Sequence, residues 1–150
     1  MSIDIAITNR YNALANDCCS LSCGNASKIA QPLEGDVCLD LGSGRGDDVI
    51  RLAKMVGETG YVIGVDLSSE MIDIARKKAQ QEGLTNVEFI QSEIRRLPLP
   101  DSSVDLIVSN CTLNHLQDKQ MVWNEIYRVL TPGGQFVISD IYAAEPVEEK

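Results

Sequence analysis

A glycine-rich turn and one acidic residue beyond it are the residues of this sequence whose types and spacing best fit ligand binding. The segment Gly42-Ser43-Gly44-Arg45-Gly46 follows the apolar run Val37–Leu41 and opens a stretch with helical spacing. Glycine allows a tight turn and a close approach of the backbone to a ligand, and a helix N-terminus offers unpaired N–H groups. Asp66 ends the next apolar run, where a carboxylate can accept hydrogen bonds from both ribose hydroxyls of an adenosine. The two features predict a nucleoside site, against two structural alternatives: a plain turn, and an acid that favours a helix N-terminus.

The spacing of the glycines argues against a dinucleotide. The nicotinamide fingerprint places its third glycine three positions after the second, and that position here is Asp47. An acidic side chain there would meet a pyrophosphate badly, because both are negative. A ligand that carries one carboxylate, an amine and a sulfonium suits this acidic loop better.

The cysteines are the other residues able to do chemistry. There are five of them: Cys18, Cys19, Cys23, Cys38 and Cys111. An odd count without a secretory leader predicts free thiols rather than a disulfide framework. The three N-terminal thiols are too few for a zinc or cluster site when the single histidine, His115, is distant in sequence, so no metal is expected. Cys38 is predicted to pack in a core strand. Cys111 is either a small buried hydrophobe or a ligand at the rim where open α/β sheets bind small molecules.

The composition describes one acidic domain. The 150 residues carry 13 Lys+Arg against 22 Asp+Glu, which gives a net charge of −9 at pH 7. This balance argues against a nucleic-acid surface, which needs a basic patch. No apolar run approaches the ~20 residues that span a bilayer, and the N-terminus lacks a signal-peptide pattern. We therefore expect a cytoplasmic protein with a small-molecule partner and neither a nucleic-acid nor a membrane partner.

Strand-like runs alternate with helix-like stretches, which predicts an α/β fold with a mostly parallel sheet. The predicted strands are Val37–Leu41, Tyr61–Val65, Val87–Ile90, Val104–Val108 and Phe136–Ile138. The predicted helices are Asp47–Val56, a helix capped by Ser68 or Ser69 that stops near Gly83, and Asp118–Leu130. Thr131–Gly134 is predicted as a turn, and Met121 and Trp123 as packing residues of the last helix.

Several motifs, in this order, resemble S-adenosylmethionine-dependent methyltransferases with a Rossmann-like sheet. They are Leu39–Gly46, Gly64–Ser68 followed by Glu70-Met71, Ser92-Glu93-Ile94 before Leu97-Pro98, Ser109-Asn110, Asn114-His115-Leu116 and Leu130–Gly134. The resemblance implies a three-layer sandwich and S-adenosyl-L-methionine as cofactor, with Glu93 taking the exocyclic amine of adenine and Ile94 a ring face. The implied cofactor-binding residues are Asp40, Gly42, Ser43, Gly44, Gly46, Asp66, Leu67, Met71, Glu93, Ile94 and Asn110.

Within that family, the sequence is most similar to arsenite methyltransferases. The similar segments are Leu21–Asn25, Ser109-Asn110-Cys111 followed by Asn114 and Asp118-Lys119, and Ser139–Tyr142. In that family, cysteine thiolates hold trivalent arsenic while its lone pair attacks the cofactor methyl, and soft centres prefer thiolates to oxygen ligands. The resemblance implies Cys23 and Cys111 as the catalytic, arsenic-holding thiols and Cys19 as a further arsenic ligand.

The sequence departs from the family after the fifth predicted strand, where relatives add two strands and another arsenic-binding cysteine. We therefore expect a truncated fold: a cysteine-bearing lead-in over 1–32, a cofactor-binding domain over 33–142 and an acidic tail over 143–150. The bare edge of the fifth strand predicts a homodimer that pairs two such edges. Two alternatives to arsenite methylation stay open. They are methyl transfer to a quinone or another small molecule, and a non-catalytic protein that binds the cofactor or arsenite.

Overall fold

The architecture is seen in a computed structural model, which describes residues 25–110, 112–113 and 116–140. Within these residues five strands form one sheet: β1 (Val37–Leu41), β2 (Tyr61–Asp66), β3 (Val87–Gln91), β4 (Val104–Asn110) and β5 (Leu130–Ser139). The accompanying α-helices are α1 (Ala26–Ile29), α2 (Asp47–Val56), α3 (Ser69–Gln81) and α4 (Lys119–Val129). The strand order is β3-β2-β1-β4-β5 and every neighbouring pair is parallel. The predicted α/β fold with a parallel sheet is confirmed.

Both faces of the sheet are covered, because β1 sends alternate side chains to opposite sides. Cys38 joins an apolar cluster with α2 and α3, whereas Leu39 and Leu41 join a second cluster with α4. The buried stripe of α4 is Val122, Ile126 and Val129, which has the spacing of one helix face. Each fully buried side chain of this size stabilises the fold by about 1.5–3 kcal/mol. No helix formed by the described residues has the length and hydropathy to cross a bilayer.

The sheet has its switch point between β1 and β4. The chain runs outward from β1 to β2 and β3, then crosses back so that β4 lies on the other side of β1. Connections leave the carboxyl ends of β1 and β4 in opposite directions, which opens a crevice at that edge. The glycine-rich loop follows β1, so the fold places it at this crevice.

The last strand differs from its prediction. Thr131–Gly134 was expected as a turn before a three-residue strand, but β5 begins at Leu130. Leu130 pairs with Val104, and the register shifts between Val104 and Leu106 before regular pairing resumes at Gln135. The turn residues are therefore absorbed as an irregularity inside a longer strand, which propensity alone does not predict.

The prediction that Met121 and Trp123 are packing residues is wrong, because both flank the buried stripe of α4. Their side chains are 43% and 38% exposed. The Trp123 ring meets the Phe136 ring of β5 edge-on, with centroids 5.5 Å apart, and Phe136 is itself exposed. The pair forms an aromatic patch beside the outer edge of β5.

Cys38 packs in the core, as predicted. Its thiol is buried and free. Burial, together with the nearby carboxylates Asp36 and Asp105, raises the pKa of Cys38 to about 12. Because the thiolate is the reactive form, this cysteine is chemically inert at neutral pH.

Candidate functional site

Asp66 ties the glycine loop to the start of α3. The loop begins where the Gly42 N–H donates to the Val65 carbonyl at 2.8 Å. The Gly44 N–H then donates to Oδ2 of Asp66 at 2.9 Å. The other carboxylate oxygen, Oδ1, accepts from the N–H of Ser68 at 2.9 Å, the residue that caps α3. One carboxylate thus fixes both the loop and the neighbouring helix.

The carboxylate of Asp66 keeps capacity for a ligand. An ionised carboxylate has about four acceptor sites, and the backbone N–H groups of Gly44, Ser68 and Leu67 donate to this one. Burial raises the pKa of Asp66, and the hydrogen bonds from Ser68, Gly44 and Leu67 oppose that rise. The residue therefore has the helix-terminal role that was one alternative from the sequence. Its remaining acceptor capacity is what the predicted ribose hydroxyls would use.

The glycine loop is closely packed below and open above. Gly42, Gly44 and Gly46 have φ of 75°, 53° and 84°, values that strain any residue with a side chain. A Cβ at Gly46 would lie 2.9 Å from the Ala75 Cβ and 2.9 Å from the Phe89 ring. A Cβ at Gly44 would meet no atom of the described residues within 4 Å. Within the described part of the chain, the backbone at Gly44 therefore faces free space, as a ligand cradle requires.

Three carboxylates make the crevice suited to a cation. Asp40, at the end of β1, is 2% exposed. Burial raises the pKa of Asp40 well above its usual range, and the charges of Asp48 and Asp66 raise it further. A positively charged ligand would relieve this repulsion.

Replacing Asp40 with asparagine is expected to stabilise the fold increasingly as pH rises from 4 to 8. The folded-state pKa of Asp40 is raised, so its favourable protonated form is complete below the unfolded pKa and is lost as pH climbs through the folded pKa. Asparagine removes that loss, and each ~1 kcal/mol relieved moves the midpoint by about 2–4 °C. Thermal unfolding across this pH range measures the difference between the midpoints of Asp40→Asn and the wild type, and Asp73→Asn on the exposed surface of α3 is the control. A difference that stays constant or narrows with rising pH contradicts the raised pKa of Asp40.

Ser43, in the same loop, is buried, and its hydroxyl has no hydrogen-bond partner among the described residues. The hydroxyl lies against β2, 2.8 Å from the position that a Cβ on Gly64 would take. The fit of a ligand therefore rests on other groups of the crevice. The open backbone at Gly44, the acceptor capacity of Asp66 and the buried carboxylate of Asp40 together fit a cationic nucleoside such as S-adenosylmethionine.

The residues predicted to line the adenine side differ in how far they are buried. Leu67 is half-buried, and its carbonyl accepts from the Gln91 amide at 3.1 Å. Met71 is 1% exposed and lies in the core under the start of α3. Glu93 is exposed and pairs with an arginine, whereas Ile94 is buried in the second apolar cluster. Their roles toward a cofactor stay predictions.

Asn110 lies at the crevice with both ends of its amide engaged. Its Oδ1 accepts from the Ala26 N–H at 2.8 Å, and its Nδ2 donates to Asp48 Oδ2 at 2.7 Å. The Ser27 hydroxyl donates to the other oxygen of Asp48. Asp48 therefore joins α1, α2 and the end of β4, a role that was not predicted from the sequence. The only available signal was its position as the second acid after the glycine loop.

The predicted thiol ligands Cys19, Cys23 and Cys111 lie outside the described residues, as do Cys18 and His115. Their nearest described neighbours in sequence are Asn25 and Ala26 on one side and Asn110 on the other. The hydrogen bond from Ala26 to Asn110 brings those two chain segments together at the carboxyl end of β4.

Comparison with known proteins gives one family. Residues 32–150 match the family model described as "Methyltransferase domain". The chain is similar to a SAM-dependent methyltransferase from Aquifex aeolicus of known structure, with a TM-score of 0.76 and 31% identity over 95% of this chain and 77% of that one.

Two arsenic-acting proteins are also similar. The arsenite methyltransferase of Halobacterium salinarum is 45% identical over 126 residues, which cover 84% of this chain and 32% of that relative. The structure of an arsenic(III) S-adenosylmethionine methyltransferase from Chlamydomonas reinhardtii has a TM-score of 0.75 and 40% identity, over 88% of this chain and 48% of that one. This chain thus spans 32–34% of the length of the first curated relatives that it matches.

Proposed function

This chain belongs to the S-adenosylmethionine-dependent methyltransferase family, and from that premise we propose that it binds S-adenosylmethionine and transfers the methyl group to trivalent arsenic. The observation that carries the cofactor assignment is the hydrogen bond between the Gly44 N–H and Asp66. This bond brings the glycine loop and the carboxylate of Asp66, which keeps acceptor capacity, to one point of the crevice.

The proposed division of labour follows from the contacts around that bond. Asp66 accepts from the ribose hydroxyls, the open backbone at Gly44 receives the amino-acid part, and the buried carboxylate of Asp40 favours the positive charge. Glu93 and Ile94 are assigned to the adenine. When bound, S-adenosylmethionine supplies an electrophilic methyl group on a sulfonium, so the chain is required mainly to position an acceptor in line with it.

Cys23 and Cys111 are proposed to hold the arsenic, with Cys19 as a further ligand. Cys111 directly follows Asn110, and Cys23 precedes Ala26 by three positions. The hydrogen bond between Ala26 and Asn110, two described residues near these cysteines in sequence, supports the pairing. The 45% identity to an arsenite methyltransferase also supports this acceptor.

The function is tested with a radiolabelled methyl donor, arsenite and a quinone-type acceptor offered separately. Label on arsenic supports the proposal. Label on the quinone would instead identify a methyltransferase that acts on a quinone, the alternative substrate that the sequence left open. Cofactor and arsenite binding by calorimetry without any transfer identifies a binding protein. Absence of cofactor binding overturns the cofactor site itself.

A homodimer through β5, in a cytoplasmic protein, completes the proposal. In the described sheet β5 is an edge strand, and the Trp123–Phe136 pair exposes aromatic surface beside it. Such an edge favours pairing, whereas a net charge of −9 per chain opposes self-association. Light scattering at micromolar concentration decides between one and two chain masses.

A further inference from the structure

The segment between β3 and β4 is fastened to α4 by two side chains, Glu125 and Arg128. An Oε2 oxygen of Glu125 accepts from the Leu97 N–H at 2.7 Å. The guanidinium of Arg128 donates to the Leu97 carbonyl at 3.0 Å, to the Leu99 carbonyl at 2.7 Å and to Asp101 Oδ1 at 2.8 Å. We call these two residues and their contacts the α4 clamp.

The two clamp residues are also bound to each other. Arg128 Nε and Nη2 donate to the two oxygens of Glu125 at 2.8 and 2.9 Å, which is a bidentate pair. This pairing lowers the pKa of Glu125 and holds it ionised. A bidentate arginine–carboxylate pair is geometrically specific, because the planar fork fixes both partners. The clamp is therefore a rigid support rather than a flexible surface ion pair.

The other end of the same segment is fixed to the candidate site. The Ser92 N–H donates to the main-chain carbonyl of Asp66 at 3.1 Å. Between these two attachments the turn Ser92–Leu97 carries Glu93 and Ile94, and both Ile94 and Leu97 are buried. The turn is therefore attached at one end to Asp66 and at the other end to the α4 clamp.

We propose that Arg128, acting through Glu125 and Leu97, is a positioning residue that sets the base specificity of the nucleoside site. It fixes the turn Ser92–Leu97 so that the carboxylate of Glu93 meets the exocyclic amine of adenine. The inference rests on the proposed cofactor site and adds to it residues of α4 that do not touch the ligand. A loosened turn would still admit a nucleoside, but it would distinguish adenine poorly from a base that lacks the amine.

The test compares S-adenosylhomocysteine with S-inosylhomocysteine, in which a carbonyl replaces the amine. Calorimetry gives the ratio of the two dissociation constants for the wild type, Arg128→Lys and Arg76→Lys. Lysine supplies a point charge in place of the planar fork. Arg76 is a matched control, because it also donates to a main-chain carbonyl, that of Phe89 at 2.9 Å, but it does not contact the turn.

We expect the wild type and Arg76→Lys to prefer the adenosyl ligand, and Arg128→Lys to lose about tenfold of that preference, the worth of one charge-assisted hydrogen bond. A ratio is insensitive to a uniform loss of folded protein, so a purely structural role would leave it unchanged. An unchanged ratio in Arg128→Lys overturns the inference.

A second variant covers the case in which Arg128→Lys does not fold. Glu125→Gln removes the charge and leaves a carbonyl oxygen for the Leu97 N–H, and the same narrowing of the ratio is expected. An unchanged ratio there also overturns the inference. If the wild type binds neither ligand, the proposed cofactor site is wrong, and so is this inference. If all variants bind both ligands with the same ratio, the cofactor site stands and only the role of the α4 clamp is wrong.

Discussion

Replacing Asp66 with alanine is expected to weaken the binding of S-adenosylhomocysteine by at least about a hundredfold. Each charge-assisted hydrogen bond contributes about 1.5–3 kcal/mol, and the carboxylate is assigned two to the ribose. The same change frees the Gly44 N–H, which Asp66 holds at 2.9 Å, so the cradle also loosens. Calorimetry measures the affinity, and Asp73→Ala on exposed surface of α3 is the matched control. Unchanged affinity in the Asp66 variant removes the ribose assignment.

The same carboxylate gives the binding a pH dependence of known sign. Burial raises the pKa of Asp66 above its ordinary value, so the ionised acceptor is lost at a higher pH than an exposed aspartate would lose it. Affinity for the neutral ribose hydroxyls should therefore fall as the solution is acidified toward pH 4. In Asp66→Asn this component of the pH profile should disappear.

Replacing either Cys23 or Cys111 with serine is expected to abolish tight binding of a trivalent arsenical. Soft arsenic selects thiolates, and a hydroxyl is no substitute. The loss should exceed the about 10–100-fold that removal of an outer-shell partner costs at metal sites. Affinity of the wild type should rise as pH climbs toward about 8.5, since the thiolate is the binding form.

The control for this titration is Cys38→Ala. Cys38 is buried, and its pKa is raised to about 12, so its removal should leave the arsenical affinity unchanged. Wild-type affinity in both Cys23→Ser and Cys111→Ser would assign those cysteines no part in arsenic binding. Cofactor affinity, measured in parallel, separates a lost thiol site from a damaged fold.

The elements that depend on local pattern were predictable from the sequence. The first strand and the helix after the glycine loop begin and end at the predicted residues, because period and glycine punctuation act within a few residues. The extent of β5 was not predictable, since its first residues are ordered by pairing with β4 across the sheet. Exposure of Trp123 likewise depends on which face of α4 the sheet covers.

The site was predictable in its main parts but not in its connections. The glycines and Asp66 carry a spacing that can be read from the chain. The link from Asp48 to Ser27 and Asn110, and that from Arg128 to the turn before β4, join residues far apart in sequence. No spacing rule reports such pairs, because their partners are defined only by the fold.

The contact beneath Gly46 limits how this protein can change over evolutionary time. Ala75 and Phe89 occupy the volume that any side chain at position 46 would need. A larger residue at position 75 would press on the same backbone from below, and so would distort the loop from inside α3 without contacting a ligand. Position 46 is therefore closed to side chains both by its φ of 84° and by its neighbours, and position 75 has no room for a side chain larger than that of alanine. The range of residues that position 75 tolerates, although Ala75 is buried beneath the loop, therefore measures how strictly the conformation of the glycine loop must be kept.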